Sequence, residues 1–176
     1  MKSALKKALL IISIMAFTAI SSNAQESESP KFQSQNYNTA IGLRLGGLTS
    51  GFTAKQFLGG GGAVEGILGV GSNGFVITGL YEQHEPISGA PGLQWLYGGG
   101  GHIGFFSDRG KYYYTFRGDD VYYTRAAIIG IDGILGLDYK IKGAPINIGL
   151  DVKPIFDFTD GTYIFFDTGL SARVAF

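Results

Sequence analysis

The feature that most constrains this fold is a two-residue alternation of apolar side chains with charged residues or glycine. It is clearest over 145–156, which reads PINIGLDVKPIF. Successive side chains of a β-strand point to opposite faces, so this spacing predicts strands with one apolar and one polar face. Beyond residue 24, no segment keeps the spacing of an amphipathic helix for three turns. The chain is therefore predicted to be all-β.

Eight such segments follow one another, separated by turn-forming residues. The predicted strands span 39–47, 51–58, 62–70, 74–84, 92–106, 126–141, 145–156 and 162–176. Their lengths are near or above the roughly 9–11 residues with which a tilted strand crosses a bilayer. The segment 51–58 fits least well, because Phe57 falls on its polar face. Together the segments predict an antiparallel up-and-down β-barrel of about eight strands that crosses a membrane, because closure leaves no unpaired strand edge in hydrocarbon.

The first 24 residues have the pattern of an export signal. Lys2, Lys6 and Lys7 precede an apolar stretch over 8–20, and small residues up to Ala24 suit a signal peptidase. The apolar stretch is shorter than the about 20 residues of a membrane-spanning helix. We therefore expect a signal peptide that is cleaved after Ala24.

The segment 25–38 is polar and has no periodicity, so we expect a flexible linker before a barrel over 39–176. The chain has no cysteine, which excludes disulfides and a lipoprotein-type lipid anchor. Three of the 14 basic residues and none of the 14 acidic residues lie in the signal, which leaves 11 basic and 14 acidic residues. This balance offers no basic surface for a nucleic-acid partner.

Charged residues of both signs share the polar, glycine-bearing face of the predicted strands. The interior of an eight-stranded barrel is just wide enough for side chains. Opposite charges can pair there, and glycine leaves room for long arginine and lysine side chains. We therefore expect the polar face to line the lumen and the apolar face to meet lipid. The predicted lumen charge network consists of Arg44, Lys55, Glu65, Glu82, His102, Asp132, Asp151, Lys153, Asp167 and Arg173.

The longest link between predicted strands, 107–125, is rich in aromatic residues. Its segment 111–125 reads KYYYTFRGDDVYYTR, in which aromatics flank RGDD on both sides. This symmetry predicts that the fifth and sixth strands continue as a hairpin with its turn at RGDD. The aromatics suit either a girdle at the membrane interface or a surface that binds an unknown ligand. These residues are Tyr112, Tyr113, Tyr114, Phe116, Tyr122 and Tyr123.

Neither histidine of the chain belongs to a recognisable catalytic or metal-binding set. His102 falls on the polar face and is expected to be hydrogen-bonded in the lumen, whereas His84 lies near a turn and is expected to be solvated. The glycine runs 59–62 and 98–101 lack the Lys-Ser/Thr pair and the helix of a phosphate-binding loop. We therefore expect no catalytic residue, no metal site, no cofactor and no enzymatic activity.

The signal, the eight segments and the last strand YIFFDTGLSARVAF, which ends in Phe176, resemble small bacterial outer-membrane β-barrel proteins. OmpX and the transmembrane part of OmpA are examples, and the similarity is greatest to the short, glycine-rich outer membrane protein β-barrel domain group. The resemblance implies a place in the outer membrane of a Gram-negative bacterium, in contact with its lipid. In that group a C-terminal aromatic residue is part of the signal for the barrel-assembly machinery, and Phe176 matches it.

Three functions remain open from the sequence. The first is a structural or surface-interaction barrel with a lumen filled by polar side chains. The second is a narrow pore or transport protein, which so narrow a lumen disfavours. The third is a soluble, lipocalin-like ligand-binding barrel, which would place the apolar face inside and the charges outside.

Overall fold

A computed structural model describes residues 37–71, 74–106, 111–114, 120–122, 127–159 and 163–176. Within these ranges all regular elements are β-strands. The described part of the chain contains no apolar helix long enough to cross a membrane. The strands are β1 (Thr39–Gly46), β2 (Gly51–Gly59), β3 (Gly62–Gly71), β4 (Gly74–Pro86), β5 (Leu93–Phe106), β6 (Lys111–Tyr114), β7 (Asp120–Tyr122), β8 (Ala127–Lys140), β9 (Ile146–Asp157) and β10 (Tyr163–Ala175).

Eight of these strands close into a barrel in the order β1-β10-β9-β8-β5-β4-β3-β2. Every neighbouring pair is antiparallel, and β1 completes the ring by pairing with both β2 and β10. Because each barrel strand pairs with the barrel strands before and after it along the chain, short turns suffice for most connections. One tight turn lies between β2 and β3, where Gly59, Gly60 and Gly61 all have positive φ, a conformation that glycine adopts without steric cost. The predicted antiparallel barrel of about eight strands is confirmed.

The two remaining strands, β6 and β7, form an antiparallel two-stranded sheet of their own. The sequence predicts that the flanking barrel strands continue into this hairpin, and the residues that would join them to it, 107–110 and 123–126, lie outside the described residues. The hairpin itself agrees with the prediction. Its turn, with Phe116, and the following Tyr123 lie outside the described residues, and the side chains of β6 and β7 are not described.

The two faces of the barrel wall differ sharply in polarity. In β1, Arg44 is 1% exposed, whereas the adjacent Leu45 is 68% exposed. The same pattern recurs around the ring, because side chains alternate along every strand. Leucine, isoleucine, valine and aromatic side chains cover the outside, while arginine, lysine, aspartate and glutamate lie inside.

Apolar side chains form three groups in the interior at successive heights. Their order can be followed along β4: Val76 belongs to the first group and Leu80 to the second. The third group includes Phe57, whose ring contacts His84, which lies further along β4. The groups are Val76, Phe106, Ile128, Ile155, Phe165 and Leu48; then Ile67, Leu80, Leu96 and Ile134; then Tyr37, Ala40, Ala175 and Phe57.

Two residues before β1, Tyr37 and Asn38, already contact the barrel. Tyr37 is buried and packs edge-on against Phe57, with ring centroids 5.3 Å apart. The Asn38 backbone N–H donates to the carbonyl of Phe176 at 3.2 Å. Both residues lie at the end of the predicted linker 25–38. The rest of that linker and the expected signal peptide lie outside the described residues.

We call the two ends of the barrel the terminus side and the loop side. The terminus side is the end at which Asn38 contacts Phe176. The loop side is the opposite end, where β5 and β8 lead into the link 107–126.

Candidate functional site

The interior of the barrel contains most of the charged side chains of the barrel strands. The structure buries all ten residues of the predicted lumen network and brings them into two groups, separated by the layer that contains Leu80. The loop-side cluster comprises Arg44, His102, Asp132, Asp151, Lys153, Asp157 and Asp167. The terminus-side cluster comprises Lys55, Glu65, Glu82, His84, Asp138, Asn147 and Arg173.

Arg44 links three strands in the loop-side cluster. From β1 its Nη2 donates to Asp151 Oδ1 of β9 at 2.5 Å, and its Nη1 donates to Asp167 Oδ2 of β10 at 2.9 Å. Nη1 also donates to the carbonyl of Thr49 at 2.7 Å. A guanidinium with several fixed donors suits such a bridge, because each bond to a carboxylate is charge-assisted.

His102 links β5, β8 and β9 in the same cluster. From β5 its Nδ1 lies 2.9 Å from Asp132 Oδ2 of β8, and its Nε2 lies 2.6 Å from Asp157 Oδ1 of β9. His102 and Asp132 belong to the predicted lumen network, whereas Asp157 does not, because the seventh predicted strand ends at 156. The alternation along β9 continues by one residue, and Asp157 shares the inward face with Lys153.

Lys55 is the centre of the terminus-side cluster. Its Nζ lies 2.7 Å from Glu82 Oε2, 3.2 Å from Asp138 Oδ2 and 3.4 Å from Glu65 Oε2. The side chain is fully buried, so it approaches the ends of β3, β4 and β8 from β2 without solvent. Three carboxylates around one ammonium satisfy its three donors.

Arg173 completes this cluster from β10, which is separated from β2 only by β1. Its guanidinium pairs with Glu65, and its Nη1 lies 3.7 Å from Asp138 Oδ2. Asn147 of β9 accepts a hydrogen bond from Arg173 and donates one to Asp138. Asp138 and Asn147 have the inward parity of their strands, which is the sequence signal that finds them.

The expectation that His84 is solvated is wrong. Its side chain is fully buried, its Nε2 lies 3.0 Å from Glu82 Oε2, and its ring contacts Phe57 at 4.9 Å between centroids. The physical reason is that β4 continues to Pro86, so His84 keeps the inward parity of Glu82. The contact with His84 also explains why Phe57 falls on a polar face: its ring covers the end of the lumen beside Tyr37.

A small cavity lies in the loop-side cluster. The space open to the centre of a water molecule is ≈ 10 Å³. Its polar wall includes Thr49, Thr78, His102, Asp132, Lys153 and Asp157. Its other wall is the apolar group around Phe165, on the loop side.

The carboxylates of both clusters are held by cationic side chains rather than grouped for a metal ion. Among the described residues, no set of three or more His, Asp or Glu side chains is arranged to bind a metal. Breaking a buried ion pair from one side leaves an uncompensated charge and is strongly destabilising. The arrangement therefore acts chemically as a brace that ties the barrel wall together across its interior.

The outer surface carries aromatic side chains near both ends of the barrel. Trp95 and Tyr97 of β5 are half-exposed on the terminus side. Phe75 and Phe105 are in contact on the loop side, with ring centroids 5.3 Å apart. Phe176, the proposed assembly signal, is 66% exposed.

Comparisons with protein-family models, curated proteins and solved structures give no match to this chain.

Proposed function

We propose that this protein is an integral β-barrel of the bacterial outer membrane, with a lumen filled by a polar side-chain network. The observation that carries the proposal is the inverted polarity of the wall. Lys153 is fully buried inside, while the adjacent outward Val152 and Leu150 are 43% and 57% exposed. In water this arrangement would hydrate the apolar side chains and dehydrate the charges, so both faces would oppose folding.

A bilayer removes the first of these costs. Large exposed apolar patches on soluble proteins rarely exceed a few hundred Å², whereas here apolar side chains of this kind occupy every barrel strand. Closure of the barrel also pairs the backbone of each of its eight strands with two neighbouring strands. Hydrocarbon demands such pairing, because it offers no hydrogen bonds of its own.

Aromatic side chains at the two ends support the same orientation. Trp95 and Tyr97 on the terminus side and Phe75 and Phe105 on the loop side would lie near the two headgroup regions. Amphipathic rings such as Trp and Tyr concentrate at these interfaces. With the chain termini at the periplasmic end, the link 107–126 faces the outside.

For the role of the barrel we propose structure or surface interaction rather than transport. Both charged clusters and three apolar groups project into the lumen. This filling disfavours the narrow pore. The aromatic residues of the 107–125 link, Tyr112 to Tyr114, Phe116, Tyr122 and Tyr123, are then the proposed contact surface for an unidentified partner. A soluble lipocalin-like barrel is the alternative that the inverted polarity disfavours most.

The test is fractionation of cells that produce the full chain, followed by gel electrophoresis of the membrane fraction with and without boiling. We expect the protein in the outer-membrane fraction and a change of mobility on heating. A protein found only in the soluble fraction would contradict the proposal. Planar-bilayer recordings test the role separately, because steady open channels would favour the pore over the filled barrel.

A further inference from the structure

Two lysines are fully buried in the lumen, and their surroundings differ. Lys55 has three carboxylate oxygens at 2.7 to 3.4 Å from its Nζ. Among the described residues, the Nζ of Lys153 has no hydrogen-bond acceptor, and Asp132 Oδ1 lies 3.8 Å away. A buried ammonium without acceptors is costly, because it has lost its hydration and gained no hydrogen bond in exchange.

Asp132 presents the complementary group to Lys153. Its Oδ2 faces His102 Nδ1 at 2.9 Å, while its Oδ1 is buried and has no hydrogen-bond partner in the part of the chain that the structure describes. Both Lys153 and Asp132 line the loop-side cavity. A donor and an acceptor that both lack a hydrogen bond therefore face the same small space.

The size and charge of this space limit what it can bind. A volume of ≈ 10 Å³ for the centre of a water molecule accommodates about one water. The ammonium of Lys153 opposes a bound cation, and the carboxylates of Asp132 and Asp157 oppose a bound anion. A neutral molecule of one heavy atom that both donates and accepts hydrogen bonds fits the site.

We propose that Lys153 and Asp132 hold one ordered water molecule in the loop-side cavity. The water accepts from Lys153 Nζ and donates to Asp132 Oδ1. Through this water, the His102–Asp132 pair gains a second connection to β9, by way of Lys153. The inference concerns the folded barrel and holds whether or not the proposed membrane location is right.

The experiment uses the full chain with ¹⁵N-labelled lysine, folded in detergent micelles, and measures magnetisation transfer from water to each lysine ammonium. Lys153 is expected to show a direct dipolar cross-peak with water. Lys55, which is equally buried but surrounded by carboxylates, should show none, and the exposed Lys142 should show fast chemical exchange instead. Lys153→Met and Lys55→Met assign the signals, and the heat-induced mobility shift verifies that each variant folds.

The absence of a dipolar cross-peak at Lys153, or equal cross-peaks at Lys153 and Lys55, would overturn the proposal. A crystal structure of the unmodified chain gives an independent check that needs no variant. It should show one density peak within about 3 Å of both Lys153 Nζ and Asp132 Oδ1. An empty cavity with Nζ bonded directly to Asp132 would contradict the bridging water.

Discussion

The Arg44 guanidinium occupies the space that a side chain at Gly169 would need. A Cβ atom built on Gly169 would lie 2.6 Å from Arg44 Nε, well inside van der Waals contact. The absence of a side chain at Gly46 of β1 likewise leaves space, because a Cβ there would lie 3.1 Å from Asp167 Oδ2. The glycines of the polar face thus provide the room in which the buried arginine reaches two carboxylates.

This relationship predicts that Gly169→Val destabilises the barrel. The valine would displace Arg44 from Asp151 and Asp167, and overpacking of this kind costs about 1–3 kcal/mol before any ion pair is lost. Urea unfolding of the chain in detergent measures the change. Gly79→Val is the matched control, since Gly79 faces outward and a Cβ there meets nothing within 4 Å. Equal destabilisation by both variants would refute the steric account.

Removal of the Lys55 ammonium should be severe. Lys55→Met leaves Glu65, Glu82 and Asp138 close together without their shared cation. Breaking a buried ion pair from one side typically costs about 3–5 kcal/mol. Lys142→Met makes the same substitution in the exposed turn after β8 and should change the free energy of unfolding by less than about 0.5 kcal/mol. A Lys55→Met variant as stable as Lys142→Met would show that the cluster does not brace the wall.

Trp95 reports on the environment of the outer face, because it is the only tryptophan of the chain and is 49% exposed. In lipid vesicles we expect its fluorescence to shift to shorter wavelength. Quenchers attached near the headgroups should reduce it more than quenchers deep in the acyl chains, since Trp favours the interface. Quenching by a water-soluble quencher alone would be inconsistent with a lipid-facing Trp95.

Phe176 is expected to matter for assembly more than for stability. Its side chain is 66% exposed, while its backbone carbonyl accepts hydrogen bonds from Asn38 and Thr39. Phe176→Ala should lower the amount of folded barrel in cells, whereas the purified variant should refold in detergent like the unmodified chain. Phe166→Ala removes another outward phenylalanine of β10 and serves as the control. Similar cellular levels of both variants would argue against an assembly signal at Phe176.

The faces of the strands could be read from the sequence because alternation is a local property. Arg44, Asp151 and Arg173 have opposite parity to their apolar neighbours, so their burial follows once the apolar face is assigned outward. The partners of each charge could not be read in this way. The contact of Arg44 with Asp151 spans 107 residues of the chain and depends on the register with which the barrel closes.

The ends of the lumen were the least predictable part. Tyr37 lies in a polar segment, and Phe57 interrupts an alternating one, so neither is apolar core by its local pattern. They pack in the interior because the Tyr37 ring contacts Phe57 edge-on and the Phe57 ring contacts His84. Asp157 and His84 were missed for a related reason: each lies near the end of a strand, where turn-forming residues obscure the alternation.

The central claim, that the apolar outer face meets lipid, is tested most directly by cysteine labelling, since the chain has no cysteine of its own. Leu150→Cys places a thiol on the outer face of β9, and Lys142→Cys places one in the exposed turn. With the protein in lipid vesicles, a membrane-impermeant maleimide added to both sides should label Lys142→Cys rapidly. It should label Leu150→Cys only after the barrel is unfolded. Rapid labelling of Leu150→Cys in the folded protein would contradict the account, because it would place that face in water.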